Sequence, residues 1–582
     1  MEISIGIDLG TTFSVAAFVN EFGEATEIPD PQRGQKTIFP SVVFYKGEGR
    51  FDVGDAALST IEVFPEKTIR SAKRFMNEVF TPPSGVPQDE TPVKFQSKIL
   101  KAIKDYVEAP QNGYTVKNAV ITVPAYFDSM KRNLTREAAE IAGIDCLGII
   151  NEPMAAAIYY CHCEGIVPNN QKFLVYDLGG GTFDVVLIEY RTDDTGVTVI
   201  ETLAQAGDHQ LGGDDWDIKL MEFILSKARA SEEGSGLPAY LEDMDSKDRQ
   251  KLRSAANQAK ESLSFNPDRE IVVEINGNSF IVEVTRDDFD GVTKSYLDDT
   301  GALVDKVLGY ASLKESDIDL VLLVGGSTNM PMVQKYVNGK FGAEKVKYNN
   351  VNLAVAYGAA IYAVKLSDFQ ERMSEQKSES GQSETGEIAG VQTSDGQTVV
   401  QQNQGGIRIP APPPMKVILN ASHSIGVHSL IGGTTEDNLY VKNLVICGQS
   451  YEDETGIEAT QTFASNQDGG FTVLFYSNEC RNADEPIRVY KNDATTSFED
   501  AYVSHTEPVK YLAQVTFNDD AIKEDDPIEI TIRDNQNGAF ADVCHLSTGK
   551  KERDIVLMNR ESLNPDEIQR EKEKLNIARV GR

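Results

Sequence analysis

Two carboxylates occupy equivalent places in two copies of one short pattern. Asp8 falls inside IGIDLGTT (Ile5 to Thr12) and Asp177 inside VYDLGGGTFD (Val175 to Asp184). In each copy an apolar strand end delivers the Asp just before a run of small residues, whose backbone amides can approach phosphate oxygens closely. Two such turns with two carboxylates suit a nucleoside triphosphate and Mg²⁺. The duplication predicts two matched lobes closing on one ligand. A third apolar run, LVLLVGGST (Leu320 to Thr328), ends in Gly325, Gly326 and Ser327, where a following helix N-terminus could cradle the same ligand. None of these segments is a Walker loop or a GxGxxG fingerprint, so another phosphate-binding architecture is required.

The elements that must position these residues alternate. Strands are predicted at Glu2 to Leu9, Ala119 to Val123, Phe173 to Tyr176 and Asp319 to Val324, and helices at Ser129 to Ala142, Glu152 to Tyr160, Asp215 to Arg229 and Asp248 to Leu263. That alternation over residues 1–366 predicts a layered α/β domain. From 367 to 414 the chain is rich in Ser, Glu, Gln and Gly and then Pro, and predicts a disordered linker. Short alternating runs over 415–560 predict a β-sandwich: Leu439 to Ile446, Phe471 to Phe475, Tyr511 to Phe517 and Ile528 to Ile532, with turns at Asp468 to Gly470 and Asn537-Gly538. Within 561–582, Asn564 to Ala578 reads as one charged helix with Asn564 as N-cap and Pro565 at the first helical position.

With 582 residues, the chain has room for three to four domains. Acidic side chains number 90 against 56 basic ones, a formal charge of -34, which repels nucleic acid and anionic lipid alike. Neither a signal-type leader nor a bilayer-spanning apolar run is present, and the chain reads as cytoplasmic. Six cysteines are too few for a disulfide framework. Cys161-His162-Cys163 has no second pair at ligand spacing and reads as helix packing.

The three motifs together resemble the superfamily of actin, sugar kinases and heat-shock protein 70 chaperones. The segments VPAYFDSMKR (Val123 to Arg132), IINEPMAAAIYY (Ile149 to Tyr160), GDHQLGGDDWD (Gly207 to Asp217) and AVAYGAA (Ala354 to Ala360) resemble the heat-shock protein 70 family in particular. The resemblance implies a two-lobed actin-like ATPase domain that binds ATP or ADP with Mg²⁺ and hydrolyses ATP slowly. By this resemblance Asp8 and Asp177 hold the metal largely through its water shell. Lys73, Glu152, Asp177 and Thr182 carry the hydrolysis. Gly10, Thr11, Thr12, Gly179, Gly180, Gly181, Gly212, Gly213, Lys260, Ser264, Gly325, Gly326 and Ser327 surround the nucleotide. Pro124 and Arg132 match an interdomain relay. SIGVHSLIGG (Ser424 to Gly433) and QTFASNQDGGFTV (Gln461 to Val473) resemble the family's peptide-binding sandwich, with Leu430, Phe463 and Phe471 as pocket candidates. Implied partners are unfolded or extended polypeptide, a J-domain protein and a nucleotide exchange factor.

Departures from the family pattern are specific. Asn257, Asn329 and Asn352 stand where the family has a ribose-binding Glu, an adenine-stacking Arg and an Asp, which predicts weaker or differently arranged base binding. His209-Gln210 replaces a Thr-His pair. Gly148 and Met154 replace an Arg and a Thr at the J-domain docking position. The segment Asn77 to Lys117 is short, the apolar interdomain linker is missing, with VQTSDGQTVV (Val391 to Val400) or GGIRIP (Gly405 to Pro410) as stand-ins, and the helical lid is reduced to the terminal helix. Two other functions compete with an ATP-dependent chaperone: a nucleotide-binding scaffold or exchange factor, and a small-molecule kinase.

Overall fold

The computed structural model describes residues 1–163, 168–231, 234–348, 350–380, 415–418, 423–430, 439–447, 449–450, 457–465, 468–478, 481, 487–491, 502–503, 509–535, 538–557, 565–577 and 580–581. In the first lobe, β1 (Glu2–Leu9) forms an antiparallel hairpin with β2 (Phe13–Val19). After α1 (Pro92–Val107) comes β3 (Thr115–Val123), parallel to β1; after α2 (Ser129–Ile141) comes β4 (Cys146–Asn151), parallel to β3. Helix α3 (Glu152–Cys163) leads to the second lobe, where the arrangement recurs. There β5 (Gln171–Leu178) forms an antiparallel hairpin with β6 (Phe183–Thr192), and β6 pairs with β7 (Thr198–Asp208). After α4 (Gly213–Arg229), α5 (Ser246–Leu263) and α6 (Arg286–Tyr310), β8 (Leu320–Val324) lies parallel to β5. Each lobe thus has a central strand flanked by a hairpin partner on one side and a parallel strand on the other, as the duplicated motif predicts. The central strands are buried on most of both faces: β5 carries the continuous run Phe173 to Tyr176, while in β1 the small residues Ser4 and Gly6 fill the positions between Ile3, Ile5 and Ile7.

After α7 (Pro331–Phe341), helix α8 (Ala354–Ser380) packs on β1 and crosses α3. The crossing depends on small residues: a Cβ at Gly358 would lie 1.7 Å from the Ala155 carbonyl oxygen. Cys161 is buried against this core and its thiol is pushed up by burial, in keeping with helix packing. Among the described residues no helix is long and apolar enough to cross a membrane.

Three expectations change at this level. Helix α8 continues through 367–380, where a disordered linker was expected. The residues SDFQERMSEQKSES contain many good helix formers, and extending an existing helix needs no new nucleus. Second, β9 (Met415–Ile418) does not open the β-sandwich but pairs parallel with Thr198 to Glu201 at the free edge of β7. A strand edge left open by the second lobe's sheet accepts it. Third, the C-terminal helix α9 (Pro565–Ile577), expected as a lid remnant, packs on α2 of the first lobe, with Leu575 in the core and Lys94 3.6 Å from Glu571. Val580 and Gly581 then pair with Phe51 and Asp52. Val391 to Val400, Gly405 to Pro410, Asn537 and Asn564 lie outside the described residues.

Between β9 and α9 the described residues form a two-stranded ribbon of Tyr490–Lys491 with Tyr502–Val503 and two large antiparallel sheets. One contains Ser424–Leu430, Leu439–Val445, Gly470–Asn478, Ile487–Arg488 and Lys510–Asn518, and the other Ile457–Ala464, Pro527–Asn535, Gly538–His545 and Lys551–Val556. Val427, Val473 and Phe475 of the first share one apolar cluster with Ile530, Ile532 and Val543 of the second. Phe471 belongs to this core, 3% exposed and stacked on Phe517 at 4.9 Å, so it is not a groove residue. Phe463 is half-buried against the same core, and the side chain of Leu430 lies outside the described residues.

Candidate functional site

Between the lobes lies a cavity of about 610 Å³. Its walls contain Asp8, Gly10, Thr11 and Thr12 from the first hairpin tip and Asp177, Gly179, Gly180 and Thr182 from the second. Glu152 at the start of α3, Gly213, Lys260 and Ser264, and Gly325 to Ser327 also line it. The tips nearly touch. A Cβ on Gly180 would lie 2.0 Å from Thr12 Oγ1, so glycine is what lets the second tip reach the first. Gly325 has φ +84°, a left-handed turn that ends β8 beside the Asp177 carboxylate.

Lys73, Gly181 and Gly212 stand just behind the cavity wall. The Lys73 ammonium is 2% exposed and donates to Glu152 Oε1 at 2.7 Å and to the Leu9 carbonyl. Its turn begins at Ser71, held at φ +56° with its hydroxyl on Asp214 Oδ2 at 2.8 Å. A non-glycine residue in this region carries strain of about 1–3 kcal/mol, which persists only when neighbours fix it. Here the second lobe fixes it. The N-terminus of α4 is shaped by Asp215, whose carboxylate accepts the Gly212 N–H at 2.7 Å. Lys260 binds Asp217 at 2.7 Å and the Gly213 carbonyl at 2.8 Å, while the Ser327 hydroxyl donates to the Gly179 carbonyl at 2.9 Å. Pro124 and Arg132 lie away from the cavity: the Arg132 guanidinium is buried against the Phe127 carbonyl and Asn151.

The charge balance at the tips is one-sided. Burial, then the neighbouring Glu152, pushes the Asp8 carboxyl up to about 7, against the opposing pull of Lys73 and the Thr122 hydroxyl. Asp177 is raised well above the usual carboxylate range by burial and then by Glu152, Asp184 and Asp8. Asp184 is raised by burial and Glu152. Four carboxylates face one ammonium, and Thr12 Oγ1 and Asp184 Oδ2 are buried without a hydrogen-bond partner. Such a set of hard oxygens is what a divalent cation and its water shell satisfy, and a bound cation reverses the repulsion that raises these carboxyls. Among the described residues no group of three or more carboxylate, His or Cys side chains is placed to ligate a metal directly, so these residues fit a hydrated Mg²⁺ held through its water shell.

Sequence reading missed Asp184, although it ends the quoted VYDLGGGTFD, because only the first Asp of each motif has a partner in the other copy. It also missed a clasp between the lobes. Arg70 of the first lobe reaches Asp214 at 2.8 Å and Arg74 reaches Asp215 and the Gly181 carbonyl, while Arg253 within the second lobe also binds Asp214 at 3.1 Å. Burial would push the Asp214 carboxyl up, yet Arg70, Arg253 and the Ser71 hydroxyl together hold it well below its usual value. The signal lay in Arg70 and Arg74 flanking Lys73 and in the acidic pair of GGDDWD.

The sequence profile of the family described as "Hsp70 protein" matches residues 4–91 and 84–374. Curated relatives named "Chaperone protein DnaK" from Thermotoga petrophila and Thermotoga maritima are each 39% identical to this chain over 369 residues. The aligned stretch covers 62% of this chain and 59% of each relative, so the chain spans about three fifths of the length of these relatives.

Proposed function

Because the chain belongs to the Hsp70 protein family, we propose that it is a chaperone-type ATPase in which Mg-ATP bound between the lobes alters how the β-rich region holds extended apolar polypeptide. The observation that carries this reading is that Asp8 and Asp177, at two glycine-containing hairpin tips, meet Glu152 in one cavity, with Lys73 bound to Glu152 behind its wall. Asp8 and Asp177 would hold Mg²⁺ through its water shell, and the ion supplies neutralisation of phosphate charge. Thr11, Thr12 and the amides of Gly179 to Thr182 orient the terminal phosphates. Lys73, fixed by Glu152, places a positive charge where charge develops on the transferring phosphoryl group, and Glu152 with Thr182 orients the attacking water. Phosphoryl transfer needs little more than such positioning and electrostatics.

Strand β9 gives this chemistry a route outward. It ties the chain leading to the β-rich region to β7, which pairs with β6, and β6 begins directly after the second hairpin tip. A change in that tip on hydrolysis would reach the attachment point through two strand pairs. The two antiparallel sheets are read as a β-sandwich that binds peptide, and a J-domain protein and an exchange factor are the expected partners in a cytoplasmic setting.

Calorimetric titration with Mg-ATP and single-turnover phosphate release, each with and without an apolar peptide, test this. Binding with slow, peptide-stimulated turnover is expected. Absence of ATP binding refutes the reading, and turnover indifferent to peptide favours the scaffold alternative.

A further inference from the structure

Phe265 follows the last turn of α5 and lines the cavity, yet it is 84% exposed. Its wall differs from the hairpin tips in chemistry. Ser264, Asn257, Asn329 and Met330 accompany it, and the cation there, Lys260, is already engaged by Asp217 and the Gly213 carbonyl. Glu261, next to it, is an exposed carboxylate. The Asn257 amide group donates to Asp217 Oδ2 at 3.1 Å and that of Asn329 to the Gly326 carbonyl at 3.0 Å. Carboxylate and carbonyl oxygens only accept, so these two bonds fix the orientation of each amide and leave both side-chain carbonyls as acceptors. This wall therefore offers an aromatic face and hydrogen-bond acceptors, whereas the phosphate end offers amides, Lys73 and carboxylates for a metal. A flat, uncharged ring that carries N–H donors is its complement.

Building on the nucleotide reading above, we infer that Phe265 stacks on the base of the bound nucleotide and supplies much of the affinity for the nucleoside half. The triphosphate half is held without it.

The test compares Mg-ATP with Mg-tripolyphosphate, which lacks the nucleoside, in titrations of the full chain and of Phe265→Ala and Phe265→Trp. The phenyl group is mostly in water, so its removal leaves the packing of α5 intact, and thermal melts check this. Phe265→Ala is expected to weaken ATP about 5- to 150-fold, the range of base–aromatic stacking, and to leave tripolyphosphate binding unchanged. Phe265→Trp is expected to retain ATP affinity and to show emission quenched by ATP but not by tripolyphosphate. Unchanged ATP affinity in Phe265→Ala, or equal loss for both ligands, overturns the inference while the nucleotide reading stands. Failure of the wild-type chain to bind either ligand overturns the nucleotide reading itself.

Discussion

Lys73→Ala separates the structural work of this site from its chemistry. The ammonium is 2% exposed and 2.7 Å from Glu152, and it is the cation set against the four carboxylates Asp8, Glu152, Asp177 and Asp184. Removing one partner of a buried pair leaves an uncompensated charge, at about 3–5 kcal/mol. Without nucleotide the variant should therefore lose that much stability, tempered by proton uptake at Asp8 and Asp177, which burial already holds above their usual range. In the proposed reaction the same cation faces the transferring phosphoryl group, where loss of one electrostatic stabiliser lowers the rate about 10²- to 10³-fold. Pairing Lys73→Ala with Glu152→Gln removes both halves of the ion pair. The double variant should recover much of the stability and none of the turnover. Denaturant titration of both variants and single-turnover phosphate release supply the two readouts. If Lys73→Ala releases phosphate at the wild-type rate, the assignment of Lys73 is wrong; if the double variant is no more stable than the single one, the electrostatic account of the site is wrong.

Gly180→Val places a side chain where a Cβ already lies 2.0 Å from Thr12 Oγ1, so the tips must part; ATP affinity should fall at least about 10-fold with the melting temperature little changed, read by calorimetry and thermal melts. Asp214→Asn breaks the clasp to Arg70 and Arg253, at about 3 kcal/mol near neutral pH. Because the folded Asp214 carboxyl lies below its ordinary value, its stabilisation is present above that value and fades as pH falls toward the folded one, so the gap between wild type and variant in melts should close in acid. Lys365 in α8 is pushed down to about 8 by burial. The folded chain then binds fewer protons than the unfolded one between about 8 and the ordinary lysine value, stability rises with pH across that window, and Lys365→Met should abolish the rise. Equal pH slopes in wild type and variant would rule this out.

Much of the site was legible because its logic is local. Asp8 and Asp177 sit at strand ends because an apolar strand segment precedes each, and Gly10 to Thr12 and Gly179 to Thr182 make tight turns wherever the strands go. Duplication of that local unit predicts the paired lobes, and the structure returns the same strand arrangement twice. What no local pattern contains is charge summed over distance. Asp184 matters because folding brings it beside Glu152 and Asp177, and Asp214 because arginines 144 and 39 positions away in sequence close on it. Edge pairing is equally non-local. Met415–Ile418 alternates as a sandwich strand would, and only an open edge on β7 claims it for the second lobe. Phe471 alternates as well for a groove as for a core, and its stacking on Phe517 makes it core. The sequence thus determined which groups could meet a phosphate and a metal, since strand ends and glycine turns are encoded within a few residues. The tertiary structure decided which charges share one low-dielectric space and which strand edge takes each segment, since both depend on partners far away along the chain.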